Sequence, residues 1–425
     1  MTGALTADAS LPARDLVLDA RAMTQRLGPL LGSPRPVAIQ RYSRARVKYS
    51  VGRSLRVVHA LQVGTSRVVV ASRTFPAGRS GGAYDRARDA VRPTGPLRPI
   101  AHDPELETVF FTFPNDRKIA TLWALACEAD TVAGLLGRPV RRKALVAYAA
   151  EKSATAACLC GEPERVAAYA KVYAEPQEAQ FAATVHARIA DWLAGDAGVH
   201  VPRPLAYSPA DRLVLMEPVA GRRIDALRGA ELLDAVGRLG AALATLHARG
   251  RTDELPRFES LAGERQLDAA ELIGRVRPDV AVAAGRLAAA LMEAEPAPDG
   301  PPVCLHGDVH LKNGVLSDRG MALIDLDQAA AGPAAADVGS ALAGLRQRAR
   351  LTGDPMAGER LWQAFLSGYG EVRDVPPAAV LRWHVAAALL RERALRAVSR
   401  VRQDALAQLP ALLEDARSIL SGDGP

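Results

Sequence analysis

The fold of this 425-residue chain is indicated by one stretch of its sequence, PVCLHGDVHLKNGVLSDRGMALID at residues 302–325. Two short β-type runs, residues 315–317 and 321–324, flank Asp318-Arg-Gly320. This pattern predicts a β-hairpin with a short glycine-containing loop. A further apolar run and a His-Gly-Asp turn precede the hairpin, so the whole stretch is predicted as strand, turn, strand, turn, strand.

The register of this hairpin decides which side chains meet at its open end. If the loop has three residues, Ser317 faces Met321, and Asn313 lies opposite Asp325. Directly opposed residues have Cβ atoms about 4.5–5.5 Å apart, so we expect an amide oxygen and a carboxylate to lie side by side. Such hard oxygen ligands suit Mg²⁺, which keeps its other positions for water and phosphate. The hairpin therefore predicts a magnesium site at Asn313 and Asp325.

A third polar residue precedes the hairpin. Asp308 lies five residues before Asn313, on the turn that enters the first strand. A carboxylate there can orient a substrate hydroxyl group and accept its proton as a γ-phosphoryl group is transferred, and the spacing is that of a kinase catalytic loop. Zinc binding by His306 and His310 would need a helix, whereas this segment reads as turn and strand. We expect both histidines to support the loop instead.

The composition is that of an ordinary folded protein. Apolar residues make up 49% of the chain and charged residues 24%, which excludes a wholly disordered chain. The length predicts two or three domains. The sequence has no run of about 18 apolar residues, and its first residues do not resemble a secretory signal. We therefore expect a cytoplasmic protein without a membrane span.

The chain is basic, with 54 Lys and Arg against 47 Asp and Glu and a net charge of +7. Such a charge can attract nucleic acid or phosphorylated ligands. Aromatic residues make up only 4%, and no basic stretch alternates with aromatic residues as in a base-stacking surface. We therefore expect no nucleic-acid partner, and the arginine-rich segment 391–402 reads as a solvated helix face.

The stretch around the hairpin resembles the aminoglycoside phosphotransferase and choline kinase family, whose signature is His-Gly-Asp-x-His-x-x-Asn followed by Ile-Asp. The matching positions are His306, Gly307, Asp308, His310, Asn313, Ile324 and Asp325. Asp337 matches an aspartate that braces the catalytic loop in this family, and residues 239–248 and 365–369 resemble two of its helices. The resemblance covers about residues 140–400. It implies an α+β, bilobal protein-kinase-like fold with a β-rich N-terminal lobe and a mostly helical C-terminal lobe.

The resemblance also implies an ATP site. Lys171 ends a β-type run shortly before a helix, as does the lysine that binds the phosphates in kinases. Glu178 at the start of that helix would be its ion-pair partner, with Glu175 as the second choice. The glycine-rich loop of many kinases is absent, and residues 149–153, AAEKS, stand in its place.

Two further parts of the expected site are assigned by position. Met216, Glu217 and Val219 match the hinge between the lobes, where the Glu217 carbonyl and the Val219 amide would bind adenine. Trp383 and His384 lie on a C-terminal helix where the family places its acceptor site, although core packing also accounts for them.

The chain divides into three predicted regions. Residues 1–140 form an N-terminal cap, residues 141–220 the nucleotide-binding lobe and hinge, and residues 221–425 the helical lobe with the catalytic loop and the acceptor site. Similar sets of short β-type runs in the first two regions suggest that the cap contains a degenerate copy of the nucleotide-binding sheet. Residues 76–101 read as a loop.

The acceptor is expected to be a small molecule. Only eleven residues separate Asp325 from Asp337, so the long activation segment of protein kinases is absent. Residues 341–420 contain twelve arginines against eight Asp and Glu, which favours a neutral or anionic sugar-like acceptor over a polycation. The cap resembles those of some bacterial sugar kinases, such as maltokinases and glucosamine kinases. Its residues 111–118 resemble a segment of actinobacterial phosphotransferases.

These observations predict an ATP- and Mg²⁺-dependent kinase that phosphorylates a hydroxyl group of a sugar or of a sugar-containing metabolite or antibiotic. One alternative is an aminoglycoside-type antibiotic-resistance kinase. Another, in a different class, is a catalytically inactive kinase-like module that binds nucleotide. The intact set of Asp308, Asn313 and Asp325 argues against the inactive module.

Overall fold

The computed structural model describes residues 5–126, 130–259, 263–297 and 300–423. Its N-terminal elements are α1 (Arg14–Leu18), α2 (Ala20–Leu31), β1 (Ile39–Ser50), β2 (Ser54–Val63), β3 (Ser66–Thr74), α3 (Ser80–Arg88), β4 (Ile100–Asp103) and β5 (Thr108–Thr112). The strands form an antiparallel sheet in the order β1-β2-β3-β5-β4. The N-terminal cap therefore has a sheet of its own, and many of its buried apolar residues belong to the same core cluster as those of the helical region.

The prediction of a loop over residues 76–101 is wrong, because this segment contains α3. The helix has weak apolar periodicity, but Ala83 packs against Val109 and Phe111 of the sheet. Glu107, which lies far along the chain, accepts hydrogen bonds from the N–H groups of Gly78 at 2.7 Å and Ser80 at 3.1 Å. The bond from Ser80 satisfies one of the N–H groups that the first turn of a helix leaves without partners, and the bond from Gly78 fixes the residue just before the N-cap. When a distant residue such as Glu107 binds the N-terminal end of a helix, the sequence near that helix carries no signal of it.

A second antiparallel sheet follows. Its region contains α4 (Thr131–Leu136), β6 (Arg142–Ala149), β7 (Ser153–Cys160), β8 (Arg165–Tyr173), α5 (Pro176–Trp192), β9 (Val199–His200), β10 (Pro204–Ser208) and β11 (Leu213–Met216). The strand order is β10-β11-β8-β7-β6. The first three strands of both sheets are antiparallel neighbours in chain order. In each third strand a cation lies over an aromatic ring, Arg73 over Phe75 at 5.1 Å and Lys171 over Tyr173 at 5.2 Å.

The remainder of the chain is mostly helical. Its helices are α6 (Gly229–Arg249), α7 (Glu264–Val276), α8 (Ala281–Glu293), α9 (Ala334–Thr352), α10 (Pro355–Gly370), α11 (Ala378–Ala388), α12 (Leu395–Arg400), α13 (Gln403–Ala407) and α14 (Leu409–Ser421), with a π-helical segment, Leu389–Ala394, between α11 and α12. Among the helices that the structure describes, none is long and apolar enough to cross a bilayer. The architecture is thus α+β, with sheets in the N-terminal part and helices in the C-terminal part.

Short strands interrupt this helical region: β12 (Arg222–Arg223), β13 (Val303–Leu305), β14 (Gly314–Ser317), β15 (Gly320–Leu323) and β16 (Ala330–Gly332). One small sheet has the order β12-β14-β15-β9, and β13 pairs with β16. The expected hairpin is β14–β15, and it lies between the second sheet and the helices.

The register expected for this hairpin is wrong by one residue. Ser317 pairs with Gly320, so the loop has two residues, and the N–H group of Ile324 donates to the Asn313 carbonyl at 2.9 Å. Gly320 belongs to the strand because it passes close to a neighbouring backbone: an added Cβ would lie 2.6 Å from the Gly198 carbonyl oxygen. The glycine is therefore needed for this close approach as well as for its positive φ of 97°. Asp325 follows the paired residues instead of facing Asn313 across the ladder.

Candidate active site

The turn that carries Asp308 is held by a buried carboxylate. Asp337, in the first turn of α9, accepts hydrogen bonds from the backbone N–H groups of His306 at 2.6 Å and Gly307 at 3.0 Å. Gly307 has a φ of 79°, and a Cβ there would lie 1.9 Å from the Gln328 carbonyl oxygen. Only glycine fits such a conformation at that distance. Asp337 and Gly307 thus determine the direction in which Asp308 leaves the turn.

Two helices fix Asp337 in turn. The His247 Nε2 atom lies 3.3 Å from the Asp337 carboxylate, and its Nδ1 atom lies 2.8 Å from the Tyr369 hydroxyl. His247 is on α6 and Tyr369 is on α10, and both side chains are buried. The two helical motifs noted in the sequence therefore meet as a hydrogen-bonded chain behind the turn. A buried polar network that is satisfied in this way is rigid.

His306 connects the turn to the hairpin. Its Nε2 atom lies 3.1 Å from the Ile324 carbonyl, and the Asp308 N–H group lies 3.4 Å from its Nδ1 atom. Since a carbonyl can only accept, we assign the imidazole proton to Nε2. The arrangement fits the structural role expected for His306.

Asp308 is partly buried and surrounded by positive groups. The His310 Nε2 atom lies 2.9 Å from Asp308 Oδ1, and both terminal nitrogens of Arg396 lie 3.4 Å from the same oxygen. Burial alone would raise the pKa of Asp308, but the hydrogen bond from His310 and the charge of Arg396 hold this pKa well below its usual range. Asp308 is consequently a carboxylate at neutral pH.

His310 is oriented by two arginines. Arg393 Nη1 lies 3.3 Å from His310 Nδ1, which assigns the imidazole proton to Nε2, the atom that faces Asp308. Arg396 Nη1 lies beside the same ring, 3.0 Å from Nε2. Burial lowers the pKa of His310 and Arg393 adds to this effect, whereas the hydrogen bond to Asp308 opposes it. The net result is a neutral imidazole that donates to Asp308.

Asn313 lies directly behind Asp308. Its side chain is buried, and Nδ2 donates to the Asp308 carbonyl at 3.0 Å. Ile324, on the opposite strand, is bonded to the Asn313 carbonyl and directly precedes Asp325. Asp325 has a φ of 64°, a left-handed conformation that is uncommon for a non-glycine residue. The structure therefore brings the three residues together through backbone contacts, although not through the register expected from the sequence.

Lys171 reaches these residues from the second sheet. Its Nζ atom donates to Asp325 Oδ1 at 2.9 Å and to Asp327 Oδ2 at 2.7 Å, and the Tyr173 hydroxyl donates to Asp327 Oδ1 at 3.1 Å. Burial alone would lower the pKa of Lys171, but the negative charges beside it outweigh burial and raise this pKa. The lysine is thus a fixed cation that joins the sheet to the hairpin.

The ion-pair partner expected for Lys171 is wrong. Glu178 and Glu175 are both exposed at the start of α5. The face of this helix that turns inward carries Ala179 and Ala182 instead, so it presents no carboxylate to the lysine. Asp327 takes the place of the missing glutamate. It follows Asp325 by two residues, and no spacing rule in the sequence distinguished it.

The segment predicted as the hinge directly follows β11. Met216 ends β11, and the next N–H group, that of Glu217, donates to the Arg203 carbonyl at 2.9 Å. The Glu217 carboxylate accepts from the Arg203 N–H group at 3.2 Å. Residues 217–221 then lead away from the second sheet towards the helical region. The adenine contacts of Glu217 and Val219 stay a prediction.

The prediction that Trp383 and His384 belong to the acceptor site is wrong. Both residues are buried within the helices, where the Trp383 ring packs edge-on against His384. The Trp383 indole N–H group donates to the Leu291 carbonyl of α8 at 2.7 Å. These contacts make the pair part of the core, which is the alternative that the sequence left open for Trp383 and His384.

A cavity of about 570 Å³ lies beside the candidate catalytic loop and includes His310 and Lys312 in its wall. This size is within the range of about 300–1,000 Å³ that is usual for small-molecule sites. Arginines from β1, α9 and the C-terminal helices line it: Arg44, Arg46, Arg348, Arg393, Arg396, Arg400 and Arg402. The segment 391–402 is therefore not simply a solvated face. Its arginines at 393, 396 and 400 have the spacing of one helix face, a signal that could have indicated a shared site.

Arginines of the N-terminal cap surround a different residue, Glu151, in the turn that replaces the glycine-rich loop. Arg117 Nε lies 2.6 Å from Glu151 Oε1, Arg56 lies 3.5 Å from Oε2, and Arg73 also contacts Oε2. We call these four residues the Glu151 cluster. Burial would raise the pKa of Glu151, but the arginines outweigh burial and lower it. The Glu151 N–H group also donates to Asp116 at 3.0 Å. The segment 111–118 thus anchors this turn to the cap.

No group of three or more His, Cys, Asp or Glu that could hold a metal ion occurs within the described ranges. At the hairpin, Asn313 carries an amide oxygen and Asp325 a carboxylate, and hard oxygen ligands of this kind are the ones that Mg²⁺ accepts.

The fold and this set of residues define a class of protein, the kinase-like phosphotransferases. A model of the phosphotransferase enzyme family matches residues 158–375, and the chain belongs to this family. It is therefore a small-molecule kinase with the protein-kinase-like fold, and family membership implies the use of ATP.

A search of curated proteins gives no match. Among solved structures, the chain is similar to an aminoglycoside phosphotransferase from Streptomyces rimosus, with 18% identity over 65% of this chain and 97% of that one and a TM-score of 0.42. The chain is also similar to a macrolide 2'-phosphotransferase from Brachybacterium faecium, with 17% identity over 70% of this chain and 97% of that one and a TM-score of 0.41. A choline/ethanolamine kinase family protein from Mesorhizobium loti has 17% identity over 70% of this chain and 92% of that one, with a TM-score of 0.44.

Proposed function

We propose that this kinase transfers the γ-phosphoryl group of ATP to a hydroxyl group of a sugar-like molecule in the arginine-lined cavity, with Asp308 as the catalytic residue. One observation carries the proposal: the Asp308 carboxylate contacts two residues that line this cavity, and its backbone is bonded to Asn313 at the start of the hairpin that leads to Asp325. The two cavity residues are His310 and Arg396.

The protonation state of Asp308 suggests how it acts. A carboxylate with a low pKa is a weak base, so it does not remove a proton from a hydroxyl group before the reaction begins. It can accept a hydrogen bond from that group and hold the oxygen in line with the γ-phosphorus. Phosphoryl transfer passes through a loose transition state in which positioning and charge stabilisation account for most of the catalysis. The proton can then pass to Asp308 late in the reaction.

The nucleotide would bind between the second sheet and the helical region. Lys171 has its charge fixed by two aspartates and would contact the ATP phosphates. The Glu217 carbonyl and the Val219 N–H group at the hinge would bind adenine, and the turn that contains Glu151 would lie over the phosphates. In this arrangement the N-terminal cap supports the phosphate site through the Glu151 cluster.

Asn313 and Asp325 would hold Mg²⁺. The Nδ2 atom of Asn313 is already used as a donor to Asp308, so Oδ1 is the atom it can offer to a cation. Two oxygen ligands from the protein are enough, because Mg²⁺ is usually bound by one or two side chains together with substrate phosphates and water. When bound, the ion would neutralise charge on the transferring group.

An aminoglycoside acceptor is the second candidate, and membership of the phosphotransferase family supports it. The cap resemblance to sugar kinases and the arginine-rich cavity both favour a sugar that is not a polycation. The inactive nucleotide-binding module is the candidate from another class.

The experiment that tests the proposal measures ATP consumption with Mg²⁺ over sugars, sugar derivatives, aminoglycosides, nucleosides and amino alcohols. An active kinase consumes ATP with at least one acceptor, and Asp308→Ala abolishes this turnover while Mg·ATP still binds. Binding of Mg·ATP without turnover on any acceptor would support the inactive module. Turnover that survives Asp308→Ala would refute the proposed role of Asp308.

A further inference from the structure

Three arginines that line the cavity are close enough for their charges to affect one another, and we call Arg46, Arg396 and Arg400 the cavity arginine cluster. They come from distant parts of the chain, since Arg46 is on β1 of the cap and the other two are on α12. In the ranges that the structure describes, no carboxylate lies within 4.0 Å of Arg46 or Arg400. Arg396 has Asp308 at 3.4 Å.

The carboxylates that line the same cavity are already engaged elsewhere. Asp225 accepts two hydrogen bonds from Arg223, at 2.9 and 2.5 Å. Glu392 accepts from the Ser340 hydroxyl at 2.6 Å and lies 3.5 Å from Arg393. Neither carboxylate neutralises the cavity arginine cluster, so the positive charge there is directed into the cavity.

The arginines of this cluster also affect one another. Burial together with the charges of Arg46 and Arg396 lowers the pKa of Arg400 to about 10. Burial lowers the pKa of Arg46 as well; the carboxylates of Asp325 and Asp308 oppose this effect, and the charge of Arg396 adds to it. Holding like charges together at a partly buried site costs free energy, and an anion that binds among them recovers this energy on binding.

We propose that the cavity arginine cluster binds an anionic group of the acceptor, which is therefore a sugar-sized polyol that carries a phosphate or a carboxylate. The inference rests on the proposed function, because it concerns the acceptor of the same reaction. Guanidinium groups bind both kinds of anion through paired hydrogen bonds. Arg396 contacts Asp308 and also belongs to the cluster, so an anion held there would place the rest of the acceptor beside the catalytic carboxylate.

This arrangement also assigns a role to the N-terminal cap in acceptor binding. β1 packs against α12, and Arg44 and Arg46 of this strand lie in the wall of the cavity. A cavity without the cap would lose one of its sides and two of its cations. A polycationic acceptor would meet like charges on both sides of the cavity, and such juxtapositions cost several kcal/mol.

The test compares acceptors that differ only in charge: a neutral hexose, the matching hexuronic acid, the matching hexose phosphate and the matching aminohexose. We expect kcat/KM for one or both acids to exceed that for the neutral hexose by at least about tenfold, and the aminohexose to be the poorest acceptor. The carboxylate and phosphate arms show which anion the cluster takes. Arg46→Gln and Arg400→Gln should each lower kcat/KM for the preferred acid by about 10–100-fold, the loss expected when a charged hydrogen bond worth about 1.5–3 kcal/mol is removed.

The matched control is Arg41→Gln, which removes an exposed arginine of the same strand that does not line the cavity. It should change none of these values. The melting temperature of each variant reports whether it folds, and Arg400→Gln tests the cluster independently of β1.

Two outcomes would overturn the inference and leave the proposed function intact. One is equal kcat/KM for neutral and anionic acceptors with a turnover that depends on Asp308. The other is an unchanged preference for the acid in both cluster variants. In contrast, an absence of Asp308-dependent turnover with every acceptor would refute the proposed function itself.

Discussion

The Glu151 cluster and the cavity arginine cluster each bring three arginines together from different elements, and they differ in what opposes the charge. In the first, one buried carboxylate receives hydrogen bonds from the surrounding guanidinium groups. In the second, Asp308 contacts one arginine, Arg396, and the described residues place no carboxylate within 4.0 Å of the other two. Arginines that enclose a carboxylate hold the fold together, whereas cavity arginines that outnumber the carboxylates beside them are available to a ligand.

The two aspartates that contact Lys171 form a third charged group, and substitutions there should have the largest effect on activity. Both carboxylates contact the same ammonium group, but only Asp325 is proposed to hold Mg²⁺. Asp325→Ala should lower kcat by about 10²–10³-fold, the loss typical when one stabilising partner of the transition state is removed. Asp327→Asn should mainly raise KM for ATP, because it loosens Lys171. Steady-state kinetics at varied Mg²⁺ concentration measure both effects, and equal losses of kcat in the two variants would contradict the assignment.

Breaking the Glu151 cluster should mainly affect stability. Glu151→Gln removes the carboxylate that three arginines share, and removing one partner of a buried ion pair costs about 3–5 kcal/mol. We expect a correspondingly lower free energy of unfolding in urea. Glu105→Gln provides the control, since this carboxylate pairs with Arg26 but is largely exposed. A variant of Glu151 as stable as the wild type would show that the cap does not depend on this anchor.

The pH dependence of stability sharpens the same contrast. The pKa of Glu151 is lower in the folded protein than its ordinary value of 4.5. Its contribution is therefore fully present above about pH 4.5 and is lost as the pH falls through the folded-state pKa. Melting temperatures between pH 7 and pH 3 should fall more steeply for the wild type than for Glu151→Gln. Parallel curves would indicate that other carboxylates account for acid unfolding.

The smallest effect on stability is expected when one arginine of the cavity arginine cluster is removed. Arg400→Gln removes a cation that no carboxylate opposes, so its free energy of unfolding should stay within about 0.5 kcal/mol of the wild type or rise slightly. Sulfate should stabilise the wild type more than this variant, because an anion that binds the folded state raises its stability. Calorimetry in sulfate and in chloride at equal ionic strength measures the difference. A strongly destabilised Arg400→Gln variant would place this arginine with the structural cluster instead.

The loop at residues 306–313 and the hairpin that follows it could be predicted from the sequence because their information is local. His306, Asp308 and Asn313 follow one another within eight residues, and the turn and strand signals around them fix their neighbourhood. The brace at Asp337 and the two helical motifs were expected only through a family resemblance. The register was wrong by one residue because Gly320 is needed for contact with Gly198, a residue on another element.

The sequence by itself determined the residue types of the loop and the hairpin around it, since these depend on short, regular spacings, and its motifs indicated the α+β architecture and the fold family through a resemblance. Only the tertiary structure decided which charges oppose one another. Asp327 rather than Glu178 pairs with Lys171, Glu151 collects arginines from the cap, and Arg46 joins Arg396 and Arg400 across most of the chain. Electrostatic interactions act through distance in space, and a single sequence carries no measure of that distance for residues on separate elements.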